Sequence, residues 1–129
     1  MTEYPQHSRA KNRLVEILLP LRPQTLLCEY LYHNPNNVEN DPRWEWRFDV
    51  YFELGNRKIA IEVDGDKGHR SPKNHEQTKE NIAKRKFKID HLKTKGIELY
   101  AWHPKDLVGR KKLSSELFLE EMKLINLDI

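Results

Sequence analysis

Apolar positions along this chain recur with two different periods, and the changes between them predict where helices and strands lie. Four apolar residues share one face of a first helix: Ala10, Leu14, Ile17 and Leu18. We expect this helix to run from a cap at Ser8 to about Leu19, because Pro20 and Pro23 follow it directly.

Strand-like segments and two further helices follow. The predicted strands are Thr25–His33, Trp44–Leu54, Arg57–Asp64 and Ile97–Trp102, and the predicted helices are about His75–Lys95 and Arg110–Asn126. Gly96 is expected to end the long helix, and loops are expected at 34–42, 65–74 and 103–109. The order α-β-β-β-α-β-α predicts an α/β domain with a mixed central sheet flanked by helices.

The second and third strands are separated by Gly55-Asn56, which suits a two-residue hairpin turn of type II′. Such a turn fixes which residues lie opposite each other. One face then carries the apolar pairs Phe48–Val63, Val50–Ile61 and Phe52–Ile59, and we expect it to lie on the core. The other face carries the pairs Arg47–Asp64, Asp49–Glu62, Tyr51–Ala60 and Glu53–Lys58.

Asp49 and Glu62 form the unusual pair, because this register places two carboxylates roughly 4.5–5.5 Å apart at Cβ. Like charges at this separation destabilise a sheet unless something compensates them. A divalent cation would do so, since hard ions such as Mg²⁺ take oxygen ligands from carboxylates. Screening of an exposed face by water, or a raised pKa on one carboxylate, are the alternatives.

Charge is distributed unevenly along the 129 residues, although the net charge is only +3. Residues 30–66 contain eight acids against four bases, and residues 67–95 contain ten bases against three acids. This pattern favours a cation site beside a polyanion-binding surface. A solvated, lysine-rich helix is the alternative interpretation.

The length fits one domain, residues 1–129. Cys28 is the single cysteine, which excludes an internal disulfide and favours a reducing compartment. No apolar run reaches the ~18 residues of a membrane span, and no leader-like segment begins the chain. We expect a soluble, intracellular (cytoplasmic) protein, with nucleoid association or a viral origin both compatible.

Two motifs and a histidine follow one another in a recognisable order: Arg47-Phe48-Asp49, then Ile61-Glu62-Val63-Asp64-Gly65, then His69. Over about residues 44–102, and more loosely over the first helix, the chain resembles the PD-(D/E)XK nucleases. It is most similar to the very-short-patch-repair-like endonucleases, which carry Arg-x-Asp on one strand and Glu-x-Asp-Gly at the end of the next. The resemblance implies a restriction-endonuclease-like αβββαβ core, here with an added C-terminal helix.

The same resemblance implies metal-dependent hydrolysis of DNA phosphodiesters, in repair or recombination. Asp49, Glu62 and the carbonyl of Val63 would hold Mg²⁺ or Mn²⁺. The chain departs from the broad superfamily at Asp64, where a lysine is usual; Asp64 either binds metal or pairs with Arg47.

Several residues are candidates for the role of the missing lysine: Lys67, a lysine of the following helix such as Lys79 or Lys86, and His69. His69 would act as general base or contact the scissile phosphate. Glu16 is the candidate for the acidic residue that many such nucleases carry on their first helix. It lies opposite the apolar stripe, so the simpler interpretation is a solvated glutamate.

DNA is the expected partner, including branched or mismatched forms. The expected DNA-contacting residues are Arg47, Lys67, Arg70, Lys73, Lys79, Arg85 and Lys86. A homodimer is compatible, since cutting both strands usually calls for two active sites. A Holliday-junction resolvase and a non-catalytic nucleic-acid-binding module of the same fold are the alternatives. A zinc site at His69, His75 and His91 lacks the usual ligand spacing.

Overall fold

The computed structural model describes residues 5–63 and 78–124, which form a mixed α/β fold. The helices are α1 (Pro5–Leu18), α2 (Thr78–Thr94), α3 (Pro104–Leu107) and α4 (Ser115–Glu121), and the strands are β1 (Thr25–Tyr32), β2 (Trp46–Leu54), β3 (Arg57–Val63) and β4 (Ile97–Trp102). Single 3₁₀ turns lie at Leu19–Leu21 and Pro42–Trp44. The predicted α/β class with a mixed sheet flanked by helices is confirmed.

The four strands form one sheet in the order β1-β2-β3-β4. β1, β2 and β3 are antiparallel neighbours, whereas β3 and β4 are parallel. A parallel pair needs a long crossover, and α2 lies in the segment that connects these two strands.

The β2–β3 hairpin has the register that its turn predicts, with pairs Val50–Ile61, Tyr51–Ala60, Phe52–Ile59, Glu53–Lys58 and Leu54–Arg57. Gly55 has φ 61°, and Asn56 is not among the residues of positive φ, as a type II′ turn requires. The local chemistry of the turn therefore sets the residues of β2 that lie opposite Arg57 to Ile61 of β3.

Pairing between β1 and β2 is interrupted at one position. Cys28 pairs with Val50 and Tyr30 pairs with Phe48, but Glu29 and Asp49 between them form no ladder pair. Glu29 also has φ 55°, a conformation that is rare for a residue with a long side chain. We call this irregularity, the positive φ of Glu29 and the missing Glu29–Asp49 ladder pair, the kink.

The kink changes the face on which Phe48 lies. Phe48 packs in one cluster with Tyr51, whereas Val50 and Phe52 belong to the opposite cluster. The prediction that Phe48 shares an apolar face with Val50 and Phe52 is therefore wrong, because strict alternation holds only where the ladder is unbroken.

Helices cover both faces of the sheet. The first cluster joins β2 and β3 to α1, α3 and α4 through Ala10, Leu14, Ile17, Leu18, Val50, Phe52, Ile59, Ile61, Val63, Leu107, Phe118 and Met122. The second joins the sheet to α2 through Phe48, Tyr51, Ala60, Leu92 and Ile97. Since Ala60 lies between Ile59 and Ile61 on β3, the two clusters occupy opposite faces.

Some predicted element boundaries are wrong. α1 begins at Pro5, so Ser8 lies within it and does not cap it. The segment 103–109 contains the short helix α3, which His103 caps by accepting from the Lys105 amide. The C-terminal helix spans only Ser115–Glu121 in the described part, because Ser114 caps a fresh start by accepting from the Leu117 amide.

The central predictions hold well. β1 ends within one residue of its predicted end, β4 is Ile97–Trp102 as predicted, and Gly96 follows α2 with φ 78°. Asp64, the beginning of the long helix at His75 and the end of the last helix at Asn126 lie outside the described residues. No helix in the described ranges is both long and apolar enough to cross a membrane.

Candidate active site

Asp49 is fixed at the kink by a hydrogen bond to the neighbouring strand. Its Oδ2 accepts from the backbone N–H of Val63 at 2.6 Å, and the contact is partly buried. The regular β2–β3 pairs end at Val50–Ile61, so this side chain takes an amide that a continued ladder would give to a backbone carbonyl. The carboxylate of Asp49 is thereby held against the residue that directly follows Glu62.

Glu62 projects from β3 toward α2. Its Oε1 accepts from Nη1 of Arg85 at 3.1 Å, and its Oε2 accepts from Nζ of Lys88 at 2.8 Å. The Glu62 side chain is only 16% exposed, whereas those of Arg85 and Lys88 are 39% and 22% exposed. Arg85 and Lys88 are three positions apart on α2, so they share a helical face and converge on one carboxylate.

The predicted direct pair of Asp49 and Glu62 is not formed, because the β2–β3 ladder ends at Val50–Ile61, but Asp49 contacts Val63, the residue next to Glu62. The charges of the two acids are also balanced differently from the prediction. We expected a divalent cation to offset them. In the structure, the two bases of α2 neutralise Glu62, and a backbone N–H stabilises Asp49. Among the described side chains, two cations therefore bind Glu62, and neither is shown at Asp49.

The donor set suits a hard divalent ion bound mainly by oxygen. Asp49 and Glu62 supply carboxylates, and the resemblance adds the carbonyl of Val63. Within residues 5–63 and 78–124, no group of three or more His, Cys, Asp and Glu side chains could hold a metal. Mg²⁺ does not need such a group, because it usually takes one or two carboxylates and completes its shell with water and phosphate oxygens.

Lys88 was not among the predicted site residues, although it lies at the centre of the site. Its Nζ is 5.7 Å from the ring centroid of Trp46 and 5.8 Å from that of Phe48, distances typical of cation–π contacts. Leu92, four residues further along α2, is fully buried and marks the face that meets the sheet. The burial of Leu92 is known only from the structure, so the sequence does not distinguish Lys88 from the other lysines of α2.

The other predicted bases of α2 lie elsewhere. Lys86 pairs with Asp90 at 3.0 Å on an exposed surface, and Lys79 is exposed near the beginning of the helix. Neither contacts Glu62 in the described structure, whereas Arg85, which was predicted to contact DNA, does. Arg47 is exposed on β2.

Several candidates lie outside the described residues: Asp64, Lys67, His69, Arg70 and Lys73. The predicted pairing of Arg47 with Asp64 falls outside them for the same reason. Glu16 is exposed on α1, and α1 packs on the sheet face opposite to α2. The structure therefore does not bring Glu16 to the acid pair.

An aromatic cluster adjoins the site through Lys88. Trp46 stacks on Tyr32 at 5.9 Å, and His91 contacts Trp46 edge-on at 5.7 Å and stacks on Phe87 at 6.2 Å. His91, one of three histidines considered for zinc, is thus part of an aromatic cluster, and its Nε2 lies 3.4 Å from the hydroxyl of Tyr32. The other two histidines considered for a zinc site, His69 and His75, lie outside the described residues.

Tyr51 occupies the same side of the sheet as Glu62 but does not suit acid–base chemistry. Burial raises its pKa well above the usual range, and its hydroxyl donates to the carboxylate of Glu53, which raises the pKa further. The phenol therefore stays neutral at physiological pH. Its ring stacks on Tyr30 at 4.6 Å, which makes it a packing residue of the α2 face.

Comparison of the chain with protein-family models, with curated proteins and with solved structures gives no significant match. The four-stranded mixed α/β fold and the site around Asp49 and Glu62 therefore have to indicate the function by themselves. In that site, Glu62 binds two bases of the lysine-rich helix α2, and Asp49 binds the backbone N–H of the residue next to Glu62.

Proposed function

We propose that this chain is a divalent-metal-dependent endonuclease that hydrolyses DNA phosphodiester bonds, with the core of the PD-(D/E)XK nucleases. The observation that carries the proposal is that Asp49 contacts the residue next to Glu62 at one end of the β2–β3 hairpin, while Arg85 and Lys88 bind Glu62 itself. Acids for a metal and bases for a phosphate are the two components that phosphodiester hydrolysis needs.

The arrangement of elements supports the proposal. The order α1-β1-β2-β3-α2-β4, with the first three strands antiparallel and the fourth parallel to the third, agrees with the αβββαβ core that the sequence motifs imply. Asp49 lies on the second strand of this core and Glu62 near the end of the third, the positions that the motif assigns to the metal ligands.

Asp49 and Glu62, with the carbonyl of Val63, would hold Mg²⁺ or Mn²⁺. Such an ion supplies positive charge to the developing transition state and favours ionisation of nearby water. The hydrogen bond from the Val63 amide holds the carboxylate of Asp49 against β3.

Lys88 is the best candidate for the role of the missing lysine. Its Nζ lies 2.8 Å from Glu62, whereas position 64, the usual place of that lysine, is an aspartate. From α2, Lys88 donates to an oxygen of the scissile phosphate and stabilises negative charge there. Arg85 beside it offers a planar fork of donors that matches phosphate geometry.

A non-catalytic nucleic-acid-binding module is the second candidate function. The observation that favours it is that both oxygens of Glu62 already accept from bases, as they would in a purely structural ion-pair network. This protein would still bind DNA through the exposed bases of α2 and would do so without metal.

A cleavage assay separates the two candidates. Wild type, Asp49→Asn and Glu62→Gln are incubated with supercoiled plasmid, a mismatched duplex and a four-way junction, with Mg²⁺, Mn²⁺ or EDTA. Glu120→Gln, an exposed change on α4, is the matched control, and circular dichroism checks each fold.

Metal-dependent cleavage that both site variants lose and the control keeps would support the nuclease, and the preferred substrate would separate duplex from junction enzymes. DNA binding without cleavage under every condition would favour the binding module.

A further inference from the structure

Glu62 and a DNA phosphate are alternative partners for the same two bases. Arg85 and Lys88 reach Glu62 from α2, and no backbone group holds the ends of either side chain among the hydrogen bonds of the described structure. Arg85 is 39% exposed, so its guanidinium is accessible from solvent. A phosphate that approaches this surface therefore competes with the carboxylate for both donors.

The ion pairs also oppose the binding of a cation. Two carboxylates alone would attract a divalent ion strongly, but the positive charges of Arg85 and Lys88 beside Glu62 oppose that attraction. Water and salt screen mostly buried charges less than exposed ones, so this opposition is effective at Glu62, which is 16% exposed. The free protein should therefore bind a divalent ion weakly.

We propose that Arg85 and Lys88 form a phosphate-binding site that couples nucleic acid to metal: a phosphate draws the two bases away from Glu62, and the released carboxylate then binds the divalent ion. This inference rests on the proposed function for the identity of the metal ligands. It adds that DNA and metal bind with positive coupling, through two named side chains.

Thermodynamic linkage makes the coupling reciprocal. If DNA strengthens the binding of Mn²⁺, then Mn²⁺ strengthens the binding of DNA by the same factor. Couplings between sites typically range from about 5-fold to 150-fold, and we expect about tenfold here.

The first experiment needs no DNA. Binding of Mn²⁺ to the free protein is followed by the loss of the electron paramagnetic resonance signal of the aqueous ion. We expect Lys88→Met and Arg85→Met each to increase Mn²⁺ affinity about tenfold, because they release one oxygen of Glu62 and remove a nearby positive charge. Lys93→Met removes the same charge from an exposed position of α2 and should change the affinity less than about twofold.

The second experiment uses the wild-type protein, so it does not depend on the folding of a variant. Anisotropy of a labelled, phosphorothioate-substituted duplex, which resists hydrolysis, gives DNA affinity with and without Mn²⁺. We expect Mn²⁺ to strengthen DNA binding about tenfold in wild type and to have no effect in Glu62→Gln.

The outcomes distinguish this inference from the proposed function. If Mn²⁺ binds in a manner that Asp49→Asn abolishes, but neither the base variants nor DNA changes the affinity, the coupling is refuted and the metal site stands. If wild type and all base variants bind no Mn²⁺ at these acids, with or without DNA, both the coupling and the proposed metal-dependent activity are refuted.

Discussion

The two ends of β3 each carry an ion-pair network, and the networks differ in what they hold together. At the beginning of the strand, Arg57 donates to both carboxylate oxygens of Glu98, at 2.8 and 2.6 Å, and to the hydroxyl of Tyr100. It also donates to the backbone carbonyls of Met122 and Lys123, at 3.1 and 2.7 Å. A single guanidinium thus ties two strands to the end of α4, where a cation is favourable.

At the other end of β3, Glu62 meets two bases that contact no backbone carbonyl through their charged ends in the described structure. No hydrogen bond from these bases to the backbone is lost, among the described residues, if a phosphate replaces Glu62 as their partner. The comparison indicates that the number of backbone groups in a charged network, more than the number of ion pairs, distinguishes a structural network from an exchangeable one.

The networks at the two ends of β3 should differ most in their effect on the rate of DNA cleavage. Glu62→Gln should lower the rate at least about 100-fold, since even loss of a group that only supports a metal ligand costs about 10–100-fold. Glu98→Gln makes the same chemical change at the other end and should stay within about twofold, because distant sites act independently. Initial rates of plasmid nicking in Mg²⁺ measure both. Equal losses in the two variants would remove the functional distinction.

For the free energy of unfolding, changes at the Arg57 end of β3 should have the larger effect. Arg57→Met should destabilise the protein by about 2–3 kcal/mol, because it leaves a carboxylate and two carbonyls without their charged donor. Arg85→Met should cost less than about 1 kcal/mol, because Lys88 still pairs with Glu62 and the site is partly exposed. Urea denaturation followed by circular dichroism gives both values. A larger cost at Arg85 would contradict the exchangeable character of that network.

Acid should reduce the contribution of the Arg57–Glu98 pair to the free energy of unfolding. The hydrogen-bonded guanidinium of Arg57 holds the pKa of Glu98 below its ordinary value of 4.5. The resulting stability is therefore complete above about pH 4.5 and is lost as the pH falls through the lower folded pKa. The pair is partly exposed, so the effect should be under about 1 kcal/mol.

The measurement for this prediction is the difference in unfolding free energy between wild type and Glu98→Gln, followed from neutral pH into the acid range. That difference should shrink below the unfolded pKa of Glu98. A difference that does not change with pH would show that the carboxyl group contributes through packing alone.

The smallest effect is expected at Lys86, whose pair with Asp90 is an exposed contact four residues apart on α2. Lys86→Met should cost about 0.3–0.5 kcal/mol, as such helical pairs usually do. This variant shows how much the loss of one exposed charge on α2 lowers the unfolding free energy, for comparison with Arg85→Met. Thermal unfolding at low and high salt measures it, and a cost that persists at high salt would not come from charge.

The regular part of the hairpin could be predicted from sequence because it depends on local chemistry. Gly55 specifies the turn, and the turn specifies the pairs from Leu54–Arg57 to Val50–Ile61. The ladder ends there, so the predicted direct pair of Asp49 and Glu62 is not formed, and the roles of the two acids stay predictions. The short helix α3 has a sequence signal as well, since Pro104 follows the capping residue His103, but the sequence-based prediction there is a loop.

Two features could not be predicted in this way. The positive φ of Glu29 has no sequence signal, because glycine or asparagine usually occupies that conformation, and tertiary packing must impose it. The face of α2 that meets the sheet was equally hidden. Its charged residues surround the helix, and within its described part only Leu92 is buried, so Lys88 looked no different from Lys86.

The kink at Glu29 has a consequence for the behaviour of the folded protein in a crowded solution. β1 is an outer strand of the described sheet, and an unbroken outer strand is a template on which other chains can add strands and aggregate. Glu29 interrupts that row of backbone groups midway and places a charge there, which pairs with Lys11 of α1. The same irregularity that breaks the ladder between Glu29 and Asp49 therefore also makes β1 a poorer template for added strands.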